Sequence, residues 1–297
     1  MSTISRPLPN SNLRMSRARL ERFGTTVATH AILLGYTAFA LFPIFLTVIN
    51  SFKTQKNMFK LPYSIPFGDL FSTAGYETVF NPNRTNAPLY LWNSLVVTGV
   101  SILFVIIAGS MAAHALSEYN FKGNRLMALY LSIGIMIPIR LGTVSLVRLC
   151  ISLGLVGTLQ GLILIYTAQN LPLAIFILTQ FMKELPSELK DAARVDGASE
   201  YRIFIQLILP LIRPALASVA VFSMIPTWND LWWPLIMASQ EQTKTVTLGV
   251  QQFTGQFGNN WPALLAALTL AMLPVLIIYT ISSKQLIRGL TAGAVKQ

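Results

Sequence analysis

Several polar residues of this chain stand inside long apolar stretches of sequence. Asn229 and Asp230 follow Trp228 in one stretch, and Arg140 stands two residues after Pro138 in another. An ionisable side chain near the centre of a bilayer costs about 2.5 to 3.5 kcal/mol, so such residues usually face a cavity, a solute or a partner chain. We therefore expect these polar residues to line a path for a solute. For Arg140, a structural ion pair with a neighbouring chain is the alternative.

Sequence motifs for catalysis are missing. No Gly-Lys pair occurs, so no loop of the G-x-x-x-x-G-K type can hold ATP, and there is neither an H-E-x-x-H nor a G-x-S-x-G motif. His30 and His114 lie in or beside apolar stretches, where we expect hydrogen-bonded packing roles. The single cysteine, Cys150, excludes an internal disulfide and a cysteine-rich metal site. We expect the chain to catalyse no reaction and to bind no metal or cofactor itself.

The elements that must position these residues are membrane spans. Apolar residues make up 53% of the 297-residue chain, charged residues only 11%, and the mean hydropathy is +0.57, outside the usual range of soluble domains. A helix needs roughly 20 apolar residues to cross a bilayer core about 30 Å thick. The sequence predicts an all-α polytopic membrane protein with six spans, at about 25–50, 89–115, 126–148, 160–182, 207–239 and 262–283.

The fifth stretch is too long for one straight helix. Pro226 and Pro234 flank its polar residues and are available to break it. Interrupted helices are where transporters commonly build translocation sites. The alternative is a helix end held at the membrane interface by three tryptophans, Trp228, Trp232 and Trp233.

Basic residues favour one side of the membrane, and cytoplasmic flanks carry the excess of Lys and Arg. Of the 22 Lys and Arg residues, 15 lie in the N-terminal tail, after the second span, at 183–213 and near the C-terminal end, against five on the opposite side. Both termini are therefore expected in the cytoplasm, with a basic tail at 1–24 before a membrane domain at 25–297. Because membrane orientation explains the net charge of +11, we expect contact with lipid and none with nucleic acid.

A polar segment at residues 184–209, here called the polar hairpin, separates the fourth and fifth spans. Ser187 can cap a short helix, Gly197 can end it in the left-handed conformation, and Ser199 can cap a second helix that runs toward Pro210. The first helix is too short and too charged to enter the bilayer. Two roles remain open on physical grounds, an amphipathic loop on the lipid surface and a docking site for a partner.

The sequence of the polar hairpin resembles a family signature. The stretch DAARVDGASEYRIFIQLILPLIRP is similar to the cytoplasmic motif of binding-protein-dependent ABC importer permeases, roughly Glu-Ala-Ala, three residues, Gly-Ala, then a Phe and a Pro. The matching residues are Ala192, Ala193, Asp196, Gly197, Ala198, Phe204, Pro210 and Pro214, and Asp191 stands in place of the usual Glu. In that family this hairpin is the coupling helix, which sits in a groove of the ATP-hydrolysing subunit. The resemblance implies that Gly197 sets the bend and that Phe204 is a buried anchor.

Other stretches are similar to the carbohydrate-uptake, maltose-type branch of the family. They are MIPIRLGTVSL, GLVGTLQGLIL, TWNDLWWPLI, TVTLGVQQF and GLTAGAVK. The resemblance implies the type I ABC importer permease fold and, as partners, a second homologous permease, two ATP-binding subunits that hold ATP and Mg, and an extracytoplasmic solute-binding protein. It also places Gln251, Gln252 and Phe253 near the binding-protein contact. Arg140 departs from the commoner motif, which has Gln or a similar polar residue there, and it could meet an anionic or sulfonated sugar.

The resemblance therefore implies a permease subunit of an ATP-driven importer in the bacterial cytoplasmic membrane, forming with a second permease the path for a sugar, glycoside or related polyol. The alternative is a self-sufficient ion-coupled secondary transporter, which would need an intramembrane acidic relay and typically internal repeats. Asp230 is the only acidic residue well inside a predicted span, and the two halves show no obvious repeat. These observations favour the importer.

Overall fold

The computed structural model describes residues 11–255 and 258–294, and this part of the chain is almost entirely helical, which confirms the all-α prediction. The helices are α1 (Ser11–Ser51), α2 (Gln55–Lys60), α3 (Ala74–Val79), α4 (Ala87–Glu118), α5 (Asn124–Met136), α6 (Thr143–Ser152), α7 (Leu159–Lys183), α8 (Ser187–Val195), α9 (Glu200–Arg202), α10 (Leu209–Leu211), α11 (Arg213–Asn229), α12 (Trp232–Met237), α13 (Val246–Gln251) and α14 (Trp261–Ala294). Two-residue strands, Thr254–Gly255 and Gly258–Asn259, pair antiparallel before α14.

Long apolar helices account for most of the predicted spans. Four in the described residues are long and apolar enough to cross a membrane, namely Phe23–Ser51 of α1, α4, α7 and Trp261–Thr280 of α14. Two bent pairs, α5 with α6 and the 200–211 segment with α11, bring the number to six if each pair forms one span. All six lie at the stretches that hydropathy singled out.

The third stretch, predicted at 126–148 as one span, is two helices bent by 92°. Pro138 cannot donate a backbone hydrogen bond, and a residue before proline is kept out of the helical region, so Ile137 is extended with φ −73° and ψ 121°. A short 3₁₀ turn, Ile139–Gly142, leads into α6. Arg140 therefore stands at the break and not within a continuous helix.

The fifth stretch, predicted at 207–239, is interrupted as expected but with different boundaries. Its main helix, α11, begins only at Arg213, after a bend of 74°. It ends at Asn229, and α12 follows after Asp230 and Leu231. Neither proline marks the break, because Pro226 lies inside α11 and Pro234 inside α12.

Packing centres on α4 and α7, which lie along each other and against α11. Small residues allow the close approach, since a Cβ on Gly109 of α4 would lie 3.3 Å from the Cβ of Ala174 in α7. By contrast, α1 packs mainly on α14, and most of its apolar side chains from Phe23 to Val48 are exposed. The bundle core therefore excludes most of the first span.

A buried lysine fixes the chain where it leaves α1. The side chain of Lys53 is fully buried, and its Nζ donates to Asn50 Oδ1 at 3.0 Å and to the carbonyl oxygen of Leu61 at 2.8 Å. Burial lowers the pKa of Lys53. These bonds fold the segment containing α2 back onto the end of α1.

Candidate functional site

The polar hairpin is a helix, a tight turn and a second helix. Its first helix, α8, begins at Ser187 itself, so Pro186 occupies the cap position without a side-chain hydrogen bond and the predicted Ser187 cap is wrong. Gly197 has φ +78°, the left-handed conformation that the sequence predicted. Ser199 Oγ accepts from the N–H of Arg202 at 3.3 Å and caps the second helix.

A wide helical turn carries the second helix toward α11. Residues Ile203–Ile208 form a π turn, and the N–H of Leu209 donates to the carbonyl oxygen of Phe204, five residues earlier. Pro210 has no N–H to continue the α-helical ladder, and a π turn absorbs such a mismatch. The two prolines of the motif thus shape the exit from the hairpin, with Pro210 half-buried beside the π turn and Pro214 exposed at the start of α11.

Glu118, the last residue of α4, holds the polar hairpin to the bundle. Its side chain is 10% exposed and accepts hydrogen bonds from Lys190 Nζ and, at 2.6 Å, from Arg194 Nη2. Arg194 also pairs at 2.8 Å with Asp191 in its own helix and at 2.8 Å with Glu200 across the turn. One guanidinium therefore ties both helices of the hairpin to the end of α4.

Sequence reasoning missed this ion-pair cluster. The available signal was Glu118 itself, a lone carboxylate at the end of a long apolar stretch, opposite a hairpin that contains Lys190 and Arg194. The hydrogen bonds of Arg194 raise its pKa, the one to Glu200 having the largest effect and the one to Glu118 the second largest. The guanidinium therefore stays charged.

Phe204 faces the core of its own chain. Its half-buried ring stacks on His114 of α4, with centroids 5.0 Å apart, and Tyr119 meets His114 edge-on at 5.8 Å. The packing role predicted for His114 is present, but its Nδ1 has no hydrogen-bond partner in the described part of the chain. His30 Nδ1, in contrast, lies 2.7 Å from the carbonyl oxygen of Thr26.

The remaining motif residues divide between an inner and an outer face. Ala193 and Ala198 are half-buried and pack against the apolar core cluster. Exposed positions are Asp191, Ala192, Asp196 and Gly197. A Cβ built on Gly197 would meet nothing within 4 Å, so this outer face is open for contact.

At the opposite end of the bundle, the segment before α13 is fixed to α4. Asn93 Nδ2 donates to the carbonyl oxygens of Gln242, at 2.8 Å, and of Lys244, at 2.9 Å. Ser94 Oγ accepts from the N–H of Val246 at 2.8 Å. These three bonds make the 242–246 segment, here called the outer clamp, part of the bundle.

Contacts of Tyr90 reinforce the outer clamp. Its hydroxyl donates to Glu241, and its ring lies so close to Gly249 that an added Cβ would be 2.4 Å from Tyr90 Cδ2. The hydrogen bond from Lys244, followed by that from Tyr90, lowers the pKa of Glu241. Only glycine at position 249 allows α13 to lie this close to α4.

The predicted binding-protein contact residues differ in exposure. Gln251 and Gln252 are exposed at the end of α13. Phe253 is 8% exposed and packs in an apolar cluster with Val79 and Ala263, so its ring is unavailable for contact. Burial of this apolar ring stabilises the fold, and the place of Phe253 near the binding-protein contact stays a prediction.

Asp230 joins three elements at the break in the fifth span. Its Oδ2 accepts from the hydroxyl of Tyr166 in α7 at 2.9 Å and from the N–H of Trp233, in the first turn of α12, at 3.0 Å. Its carbonyl oxygen accepts from Thr247 Oγ1 of α13 at 2.7 Å. With these bonds Asp230 positions the surrounding helices, whereas the neighbouring Asn229 is exposed.

Two of the three tryptophans that would anchor a helix end at the membrane interface are buried. Trp228 is 4% exposed, with Nε1 donating to the carbonyl oxygen of Ala271, and Trp233 is 2% exposed, with Nε1 donating to Gln169 Oε1. Only Trp232 is partly exposed. The interruption of the span is therefore built into the protein interior, which disfavours the interface-anchor alternative.

Arg140 and Trp232 bring the two helix breaks together. The Arg140 guanidinium carbon lies 5.3 Å from the centroid of the Trp232 ring, and Trp232 Nε1 donates to Thr143 Oγ1 at 3.2 Å. Arg140 and Asn229 are both exposed. We call Arg140, Thr143 and Trp232 the break surface. Within the described residues, no three potential metal-binding His, Cys, Asp or Glu side chains lie together.

Helices interrupted at a shared polar surface, together with a charged hairpin at one end of the bundle, are features of a membrane transport subunit. Residues 105–292 match the family described as the binding-protein-dependent transport system inner membrane component, and the chain belongs to this family.

Named relatives share most of the chain. The arabinooligosaccharides transport system permease protein AraQ of Halalkalibacterium halodurans is 33% identical over 268 residues, covering 86% of this chain and 91% of AraQ. The diacetylchitobiose uptake system permease protein NgcG of Streptomyces coelicolor is 30% identical over 271 residues, covering 91% of this chain and 87% of NgcG.

A solved structure has the same fold. A chain of a bacterial ABC transporter that imports the acidic polysaccharide alginate superposes with a TM-score of 0.72 at 19% identity, over 94% of this chain and 99% of that one. The predicted type I importer permease fold is thereby confirmed.

Proposed function

We propose that this chain is the permease subunit of an ATP-driven importer in a bacterial cytoplasmic membrane. With a second, similar permease it forms the transmembrane path for a sugar, glycoside or related polyol. An extracytoplasmic binding protein delivers the solute, and two ATPase subunits bind ATP and Mg and perform the hydrolysis. The polar hairpin and both termini face the cytoplasm.

The observation that carries this proposal is the way in which the polar hairpin is held. Its inner face is bound to α4 through Glu118 and packs on the core through Ala193 and Ala198. Its outer face presents Asp191, Ala192 and Asp196. A loop lying on lipid would have no need of this ion-pair cluster, whereas an element that transmits the movement of an ATPase must be rigidly connected to a span.

The break surface supports the solute path. Discontinuous helices leave backbone and polar groups at membrane depth, which is tolerated where they line a cavity. Trp232 and Arg140 present an aromatic face and a guanidinium, which are suited to hydroxyl-rich solutes. The named relatives act on oligosaccharides, which supports a saccharide for this chain.

Reconstitution in liposomes tests the proposal. We expect uptake of a labelled saccharide only when the second permease, the ATPase subunits and the loaded binding protein are all present, with ATP on the side of the polar hairpin. Matched liposomes that lack only the binding protein, or only ATP, are the controls.

Uptake by this chain alone, driven by a proton or sodium gradient, would contradict the proposal and support an ion-coupled secondary transporter. Transport by the full assembly only when ATP is on the side of the outer clamp would reverse the proposed orientation.

A further inference from the structure

The guanidinium of Arg140 is exposed and has no hydrogen-bond acceptor or carboxylate partner in the described part of the chain. Its one contact of note is with the ring of Trp232, at 5.3 Å. Arginine carries five N–H donors in a planar fork that matches a carboxylate in bidentate fashion. All of these donors are therefore available to a group from outside the chain.

The contact with Trp232 prepares Arg140 for such a group. A guanidinium whose carbon lies over an indole ring gains cation–π attraction. Trp232 is itself positioned by the hydrogen bond from Nε1 to Thr143. Because no acceptor for the five N–H donors of Arg140 lies in the described part of the chain, these donors are left for a ligand, while the exposed part of the Trp232 ring provides an apolar surface beside them.

The positive charge of Arg140 lies in a membrane domain, where a charged side chain costs free energy. It lies at the break between α5 and α6, beside Trp232, and is not part of the ion-pair cluster of the polar hairpin. Arg148, further along α6, is also exposed and without an ion-pair partner in the described residues. A positive charge in a membrane domain is unfavourable unless a water-filled cavity, an anionic solute or a partner chain compensates it.

We infer that the break surface receives the carboxylate of an acidic saccharide, so that the solute is a uronate-containing sugar. The carboxylate binds the edge of the Arg140 guanidinium, and the apolar face of the sugar ring lies against Trp232. This inference rests on the proposed function, because it names the class of solute that uses the same path.

The test uses the complete transporter in liposomes with its own binding protein. The probes are labelled disaccharides of galacturonate, glucuronate and mannuronate, each beside its carboxyl-reduced, neutral counterpart. We expect ATP-dependent uptake of at least one uronate disaccharide to exceed that of its counterpart at least tenfold. Arg140→Gln should reduce this preference by at least tenfold, and Arg140→Lys, which keeps the charge but loses the fork, should reduce it by less.

Wild-type uptake of neutral disaccharides only would overturn the inference and leave the saccharide importer intact. Equal loss of acidic and neutral uptake in Arg140→Gln, or loss of the second permease on co-purification, would assign Arg140 to subunit contact and also overturn it. If Arg140→Gln does not assemble, Arg140→Lys and Trp232→Phe decide, because both keep the charge and are expected to lower uronate preference. Uptake of no saccharide by the complete transporter would instead refute the proposed function itself.

Discussion

Neutralising Glu118 should loosen the polar hairpin, because this carboxylate is its main polar attachment to α4. The side chains of Glu118 and Lys190 are only 10% and 14% exposed, so their bond is partly shielded from water. A hydrogen bond to a charged group contributes about 1.5 to 3 kcal/mol. Since about 1.4 kcal/mol corresponds to a factor of ten, Glu118→Gln should raise the opening equilibrium of the hairpin by about 10-fold to about 150-fold.

Hydrogen–deuterium exchange of residues 187–211 in the assembled transporter measures this opening. The matched control is Glu188→Gln, since Glu188 is an exposed carboxylate of α8 with no partner in the described residues. Removing the charge of Glu188 changes only its interaction with the helix dipole, which contributes about 0.3 to 1 kcal/mol. Exchange should therefore rise by no more than several-fold. We also expect Glu118→Gln to weaken the stimulation of ATP hydrolysis by the loaded binding protein. Equal exchange in the two variants would show that the ion-pair cluster does not hold the hairpin.

Three further predictions concern other parts of the structure. Gly197→Ala should lower recovery of the ATPase on co-purification, since a left-handed alanine costs about 1 to 2 kcal/mol, whereas Gly197→Asn should lose less; equal recovery would deny the turn a role in docking. Tyr166→Phe and Asp230→Asn should each lower the melting temperature in detergent. Because the two side chains share a hydrogen bond, their effects should be less than additive in the double variant, and full additivity would argue against the bond. Lys53→Met removes the donor to the buried Asn50 Oδ1, at a cost of about 1 to 3 kcal/mol, so limited proteolysis should cut residues 55–72 faster than in the parent, and unchanged cleavage would contradict this role.

Local sequence signals predicted the hairpin turn well. Gly197 ends α8 in the left-handed conformation and Ser199 caps the next helix, because both effects depend only on neighbouring residues. Hydropathy likewise located the apolar helices. It did not reveal that Pro138 divides the third stretch through a 92° bend, since an apolar segment can continue across a helix break without changing composition.

Contacts between distant parts of the chain were beyond sequence reasoning. Glu118 and Lys190 are 72 residues apart, and no local pattern indicates that they meet. Nor does any local pattern indicate that the carboxylate of Asp230 accepts from Tyr166 and from the backbone of α12, and its place along the solute path stays a prediction. The resemblance placed Phe253 near the binding-protein contact, and it did not indicate that this ring lies in an apolar cluster of its own chain.

One uninterrupted helix, α4, carries Asn93 near one end and Glu118 at the other. At 1.5 Å per residue the two are about 38 Å apart along the axis, so a tilt of about 5° displaces one end against the other by about 3 Å. A helix transmits such a tilt as a lever does, without compression. A movement of the outer clamp and a change in the angle of the polar hairpin are thus both set by the tilt of α4. No relay of side chains through the bilayer is required between them.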